Sequence, residues 1–235
     1  MCFINCHLAA GQDQVRQRGR DVAAILEERA LFPEQSSFDP CAFVNGGDGT
    51  MVLDHEIVFV SIYSRCGFHV LKVAQFSGDM NYRIEARREM VIASVRSGEH
   101  QNLQVHDQLL KEMKLNRGFR LRSFQEGSIN FIPTYKYDPR TNDFDTSPKK
   151  RTPAWCDRIL WRVLNSSRVV QTQYCRWEAN ISDHRPISAV FNLTVKSINP
   201  ASMAAVKSDV EKEWASLQQR LLSDLQKFYI GWGNH

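Results

Sequence analysis

Two segments of the chain pair carboxylates with a histidine where a polar turn meets an apolar run. One is Pro153-Ala-Trp-Cys-Asp-Arg-Ile-Leu-Trp161 and the other is Ser182-Asp-His-Arg-Pro186. Asp157 sits between two tryptophans and just ahead of Ile159-Leu160-Trp161. Asp183 and His184 sit just ahead of Ile187-Ser-Ala-Val-Phe191. If the two apolar runs are neighbouring strands, Asp157 can orient and charge His184 while a second carboxylate stays free. That combination suits metal-assisted attack of water on a phosphate ester.

Further candidates are spread along the chain. Gly78-Asp-Met-Asn81 is a turn by composition, since Gly, Asp and Asn are turn formers. After a strand, the same residues place Asp79 to orient or deprotonate a water and Asn81 to hold a phosphoryl oxygen. Asn5 and His7 close the first apolar run, where a histidine is either a satisfied core residue or a contact for an anion. Lys136 lies between Tyr135 and Tyr137, which suggests an ordered wall from which a cation reaches an anion. Lys149-Lys-Arg151 is a solvated loop or a continuation of that wall. Arg83 and Arg158 follow the acidic segments directly and are open to either phosphate contact or ion pairing.

The elements that must hold these residues alternate between strand and helix patterns. Met1–Leu8 reads as a buried strand and Gln12–Arg29 as a helix. Val15, Val22, Ile25 and Leu26 share one face of that helix, with Arg16, Arg18 and Arg20 mostly around the other. Residues 32–49 read as a loop, and His55–Phe59 as a strand. Glu85–Arg96 and Leu103–Lys114 read as helices, and Phe119–Phe124 alternates as a strand does. Ile159–Val163 and Val169–Cys175 suggest a hairpin across Asn165-Ser-Ser167, and Ile187–Val195 a last strand. After Pro200 the composition shifts. Val206, Val210, Trp214, Leu217, Leu221, Leu225 and Phe228 then recur at steps of three and four, as in one amphipathic helix.

Size and composition set outer bounds. The 235 residues suffice for one domain and an appendage, and 43% apolar with 24% charged residues is ordinary for a globular chain. A net charge of +4 and a pI near 8.8 suit an anionic substrate or membrane surface, and are too small to argue for nucleic acid. The six cysteines fall in no CxxC pair, so they read as reduced and packed. The apolar run 57–76 is interrupted by Arg65, His69 and Lys72, which argues against a membrane span. No signal peptide is visible, so a cytoplasmic protein, peripheral at membranes, is expected.

Five segments in order identify a family. Asn5-Cys-His-Leu-Ala-Ala-Gly11, Gly78-Asp-Met-Asn-Tyr-Arg-Ile84, Pro133-Thr-Tyr-Lys-Tyr-Asp138, Pro153–Trp161 and Ser182–Pro186 together closely resemble the inositol polyphosphate 5-phosphatases. These belong to the DNase I-like metal-dependent phosphoesterases. The resemblance spans about residues 3–195 and implies an α/β fold: a four-layer α/β/β/α sandwich, here N-terminally truncated, with a C-terminal amphipathic helix. It implies a domain over 1–197 and a helical extension over 198–235. It also implies roles. His7 and His184 would contact the scissile 5-phosphate, Asp79 would activate water, and Asn81 would hold a phosphoryl oxygen. Asp157 would orient His184, and Asp183 would lie at a Mg2+ site. Lys136, Tyr137, Lys149 and Arg151 would grip the neighbouring 4-phosphate; Arg158 is expected at phosphate from its place directly after Asp157. The implied partner is a phosphoinositide lipid or soluble inositol phosphate met at a membrane surface, with no nucleic acid. A protein partner on the C-terminal helix is open.

The sequence departs from the family pattern twice. The family's upstream half, with an Asn and a magnesium-binding Glu, has no counterpart here, as if Met1 were an internal start. About eighteen residues, 60–77, intervene before Gly-Asp-x-Asn, as an insertion or a retained intron. Other readings therefore stand beside a phosphatase: a catalytically dead fragment acting as a binding module, or a DNase-like nuclease, which would not need the Thr-Tyr-Lys-Tyr and Trp-Cys-Asp-Arg segments.

Overall fold

The computed structural model of the chain describes residues 2–28, 51–54, 57–60, 79–194 and 199–232. The expected loop over 32–49 and the insertion over 60–77 lie outside them, except for Val60. Contacts divide the chain into two units, Met1–Leu193 and Thr194–His235.

Two sheets carry the first unit. In one, β1 (Cys2–Ile4) runs parallel to β2 (Ile57–Val60). Strand β2 is antiparallel to β4 (Leu160–Val163), which is antiparallel to β3 (Gln125–Glu126), giving the order β1-β2-β4-β3. The other sheet is the antiparallel pair β5 (Val169–Arg176) and β6 (Ile187–Leu193). The fold is thus mixed α/β with a mixed sheet.

The expected hairpin between Ile159–Val163 and Val169–Cys175 does not form, because β4 and β5 belong to different sheets. Between them Ser166–Arg168 winds into a 3-10 turn, and the Asn165 carboxamide accepts the Ser167 N–H at 3.1 Å. That turn redirects the chain toward β6. Phe119–Phe124 is likewise not a strand. Arg120–Ser123 forms a 3-10 turn whose N–H groups find carbonyls three residues back, so no sheet partner is needed, while Phe119, Leu121 and Phe124 still enter the core.

Three helices pack on this frame. α1 (Val15–Glu27) buries Val22 and Leu26 as its apolar stripe requires. Arg18 takes a further position on that stripe, between Val15 and Val22, and is fully buried rather than on the polar face. α2 (Arg88–Arg96) buries Val91. The expected helix Leu103–Lys114 splits into a 3-10 turn, His100–His106, and α3 (Gln108–Leu115). The break is at Asp107, whose extended backbone and carboxylate cap α3 by accepting the Leu110 N–H at 2.9 Å. One core cluster joins α1 and α3 to the mixed sheet through Leu26, Leu109, Tyr82 and Leu160. Another gathers Ile84, Val91 and Leu103 around Trp155.

The second unit is α4 (Pro200–Trp232). Asn199 accepts the N–H groups of Ala201 and Ser202 at 3.0 and 3.3 Å, and Pro200 takes the first helical position, where its missing N–H costs nothing. Among the described residues no helix is long and apolar enough to cross a membrane.

Candidate active site

Backbone hydrogen bonds lay the five recognised segments side by side. Leu8 N–H donates to the Asp79 carbonyl at 3.3 Å, and Met80 N–H to the Cys156 carbonyl at 2.7 Å. Tyr135 and Ala154 exchange both of their bonds, at 3.1 and 2.7 Å. Arg185 N–H donates to Thr134 O at 2.8 Å and Tyr137 N–H to Asp183 O at 2.9 Å. Single-residue bridges thereby set Asp79 opposite Asp157, and Tyr135 opposite both Ala154 and His184.

The side chains converge as a result. His184 Nδ1 lies 3.0 and 3.2 Å from the two Asp157 oxygens. Its other nitrogen, Nε2, lies 3.8 Å from Asp79 Oδ2, and His7 Nε2 approaches the same oxygen at 3.4 Å. Asp79 therefore lies between two imidazoles. Its Oδ1 accepts the Asn81 N–H at 2.9 Å, and Asn81 adopts φ +57°, a left-handed conformation that asparagine tolerates better than most residues. The Tyr135 ring meets the imidazole of His184 with centroids 4.6 Å apart.

The electrostatics follow from burial and from this crowding. Burial pushes the Asp79 carboxyl up, and the nearby Asp157 charge adds to it, while His184 opposes both. Burial alone would lower His184. The hydrogen bond that the imidazole donates to Asp157 and the charges of Asp157, Asp79 and Asp183 outweigh it, so the imidazole is held above its ordinary value. A base that gains protons more readily beside an acid that loses them less readily is a pairing suited to proton handling near neutral pH.

The basic residues divide. Lys136 Nζ reaches Asp183 Oδ2 at 3.1 Å, which raises the lysine; burial of Asp183 is outweighed by that lysine and by His184, so the acid is lowered. Lys149 and Arg151 are exposed, on a loop tied down by the Asp145 carboxylate, which accepts the Arg151 N–H at 2.7 Å. Tyr137, expected to grip phosphate, is buried instead. Its hydroxyl donates to Pro133 O at 2.9 Å and accepts from Arg176 at 2.6 Å, and the Arg185 guanidinium lies 4.1 Å over its ring. It braces the wall from behind. Arg158, also expected at the substrate, is fully buried, and its guanidinium is held by Glu126 at 2.6 Å through two nitrogens and by Asp107 at 2.9 Å. In the extended stretch before β4 successive side chains face opposite ways, so this arginine turns inward while its neighbour Asp157 faces His184.

Asn81 does two things at once. Its Nδ2 donates to Leu8 O at 3.0 Å, and its Oδ1 accepts from Arg83 at 2.5 Å. Arg83 in turn lies 4.4 Å over the Tyr135 ring. This arginine is an internal tie between Asn81 and Tyr135.

Arg18 is a positioning residue missed in the sequence. From α1 it donates to the carbonyls of Ala9 and Gly11, at 3.0 and 2.7 Å, and to Gln108 Oε1 at 2.7 Å, with Tyr82 under its guanidinium. It thereby holds the loop that follows His7. The signal was available: position 18 lies three residues after Val15 and four before Val22, inside the apolar stripe.

Among the described residues no three His, Cys, Asp or Glu side chains assemble as a metal centre. Asp183, the residue expected at the cation, is occupied by Lys136. The described donor set therefore does not complete a magnesium site.

Comparison with known proteins decides the relationship. Residues 1–190 match the family described as Endonuclease/Exonuclease/phosphatase family 2. The chain belongs to the inositol polyphosphate 5-phosphatase family within that superfamily. A probable 5-phosphatase of Schizosaccharomyces pombe is 41% identical over 214 residues, 91% of this chain and 16% of that protein. Phosphatidylinositol 4,5-bisphosphate 5-phosphatase A of Homo sapiens is 33% identical over 237 residues, 94% of this chain and 20% of that protein. The chain thus spans a fifth or less of these curated relatives. The crystal structure of the 5-phosphatase domain of SPsynaptojanin, in complex with inositol (1,4)-bisphosphate and a calcium ion, superimposes with a TM-score of 0.63 at 30% identity. It covers 95% of this chain and 55% of that one.

Proposed function

We propose that this chain is part of a 5-phosphatase catalytic domain that removes the 5-phosphate from phosphoinositides or soluble inositol polyphosphates, phosphatidylinositol 4,5-bisphosphate among them. The observation that carries the reading is the convergence of Asp79, Asp157 and His184 in a chain of this family. The domain would extend over 1–197, as part of a four-layer α/β/β/α sandwich, with 198–235 as a helical extension.

In this reading water attacks the phosphorus in line with the departing ring oxygen, and Asp79 orients it and takes its proton. His184, oriented and charge-stabilised by Asp157, and His7 face the phosphoryl oxygens. Asn81 offers its remaining amide hydrogen. Lys136, Lys149 and Arg151 meet the adjacent 4-phosphate. Mg2+ is the proposed cofactor, and calcium with inositol (1,4)-bisphosphate in the SPsynaptojanin domain supports a divalent cation. When bound it would neutralise charge on phosphoryl oxygens. Asp183 is the residue of this chain assigned to it, and no step is routed through the cation, because the described donors do not complete its site. The protein would act in the cytoplasm, peripheral at a membrane.

Phosphate release from phosphatidylinositol 4,5-bisphosphate vesicles, read with malachite green with and without Mg2+, tests the proposal. Mg2+-dependent release is expected, and Asp157→Asn should cut it by on the order of 10²–10⁴-fold, the range for losing positioned acid–base catalysis. Lys136 on Asp183 favours a second reading, a chain that binds inositol phosphates without hydrolysing them. Folded protein that sediments with the vesicles yet releases nothing would select it.

A further inference from the structure

We infer that α4 is a self-association element, whose apolar stripe is covered by the α4 of a second copy of this chain running antiparallel to it. Val206, Val210, Trp214, Leu217, Leu221 and Leu225 are each exposed by 40–63% within the chain. An amphipathic helix of this length takes most of its stability from burying such a stripe.

The spacing of these residues says what covers them. The steps are four, four, three, four and four, which read the same in both directions about a midpoint between Ala215 and Ser216. A stripe with that symmetry is complementary to its own reversed copy, as a two-fold interface requires. The antiparallel register brings Val206 level with Leu225 of the partner subunit, Val210 with the partner's Leu221, and Trp214 with the partner's Leu217. Each layer then holds one residue from either half of the stripe, and the two bulkiest side chains are kept apart. A parallel pair would stack tryptophan on tryptophan and leave thin valine layers. The eleven-residue repeat, 206 to 217, 210 to 221 and 214 to 225, is close to the natural helical period, so the two helices need little supercoiling.

Charge selects the same orientation. Asp209 and Asp224 are answered on their own helix by Lys212 and Lys227, at 3.5 and 3.7 Å. Glu213 and Arg220 flank one side of the stripe. In the antiparallel pair Glu213 lies within about 3 Å along the axis of the level of the partner's Arg220, on the same side of the seam. In the parallel pair Glu213 would instead meet the partner's Glu211. The helix carries four basic residues (Lys207, Lys212, Arg220, Lys227) and four acidic ones (Asp209, Glu211, Glu213, Asp224), so it lacks the cationic face that an anionic membrane selects.

The test is the mass of the whole chain in solution by light scattering over a concentration series, which needs no substrate and is independent of the phosphatase reading. Twice the 27.1 kDa chain mass is expected. Leu217→Asp with Leu221→Asp should return it to the single-chain mass. Glu213→Arg alone should weaken the dimer by about ten-fold, and adding Arg220→Glu should restore it, since the swap re-forms the same pairs. A single-chain mass at every concentration overturns the inference, as does a dimer that survives the double aspartate variant. Tightening by Glu213→Arg overturns the antiparallel arrangement. Co-sedimentation of single-chain protein with phosphatidylcholine vesicles, abolished by the double aspartate variant, assigns the stripe to a lipid surface instead.

Discussion

Arg158 and Arg151 belong to one sequence segment and carry the same guanidinium, yet they are opposites in the fold. Arg158 is fully buried, its fork taken up by Glu126 and Asp107. Burial would strip a proton from it, but the two carboxylates more than offset that and hold the charge in place. Arg151 is exposed, tied only through its backbone to Asp145. Arg18 sides with Arg158, and Lys149 with Arg151. The difference is in what each positive charge can meet. The buried pair is held by protein acceptors and can only shape the site, whereas the exposed pair is available to an anion.

The comparison can be broken from either side, and the largest effect is expected at Arg158. Arg158→Met should leave two carboxylates buried without their cation and lower unfolding stability by about 3–5 kcal/mol, measured by urea denaturation. A loss under 1 kcal/mol would mean that Asp107 and Glu126 are hydrated. Arg18→Ala comes next, at about 2–4 kcal/mol, because the Ala9 and Gly11 carbonyls and Gln108 lose a charged donor inside the fold. Backbone hydrogen exchange should then rise first in residues 8–12. Lys149→Ala with Arg151→Ala should be the mildest for stability, within about 0.5 kcal/mol. The same pair should weaken sedimentation with anionic vesicles by about 1 kcal/mol per residue, an effect that fades as salt rises. If the exposed pair destabilised the fold as Arg158 does, the division between the two groups would fail.

Much of the site was legible in sequence because its residues sit in short segments whose types are unusual together. Asp157 and His184 were paired from residue type and flanking strands, and the structure brings them to 3.0 Å. The basic group was legible as a group but not by member. Nothing in Thr134-Tyr-Lys-Tyr tells which aromatic ring faces outward, and the pillar role of Tyr137 arises from Arg176 and Arg185, some forty residues downstream. Helix α1 was located by its periodicity, but a stripe read for apolar residues passes over an arginine whose partners are backbone carbonyls.

The strand errors have the same origin. Phe119–Phe124 alternates as a strand should, and Val169–Cys175 follows β4 closely enough to suggest a hairpin. Alternation reports which side chains are buried, not which backbone completes the hydrogen bonds. Here 3-10 turns at Arg120–Ser123 and Ser166–Arg168 satisfy those bonds locally, and β5 finds β6 instead.

By itself, then, the sequence determined the family, the pairing of Asp157 with His184 and the period of the C-terminal stripe, because these depend on residue type and on spacing within short segments. Tertiary structure alone decided which positive charges are buried, which oxygen of Asp79 lies between two imidazoles, and which strands pair. Those outcomes depend on the packing of segments tens of residues apart, where desolvation and neighbouring charge, rather than residue type, set what a side chain does.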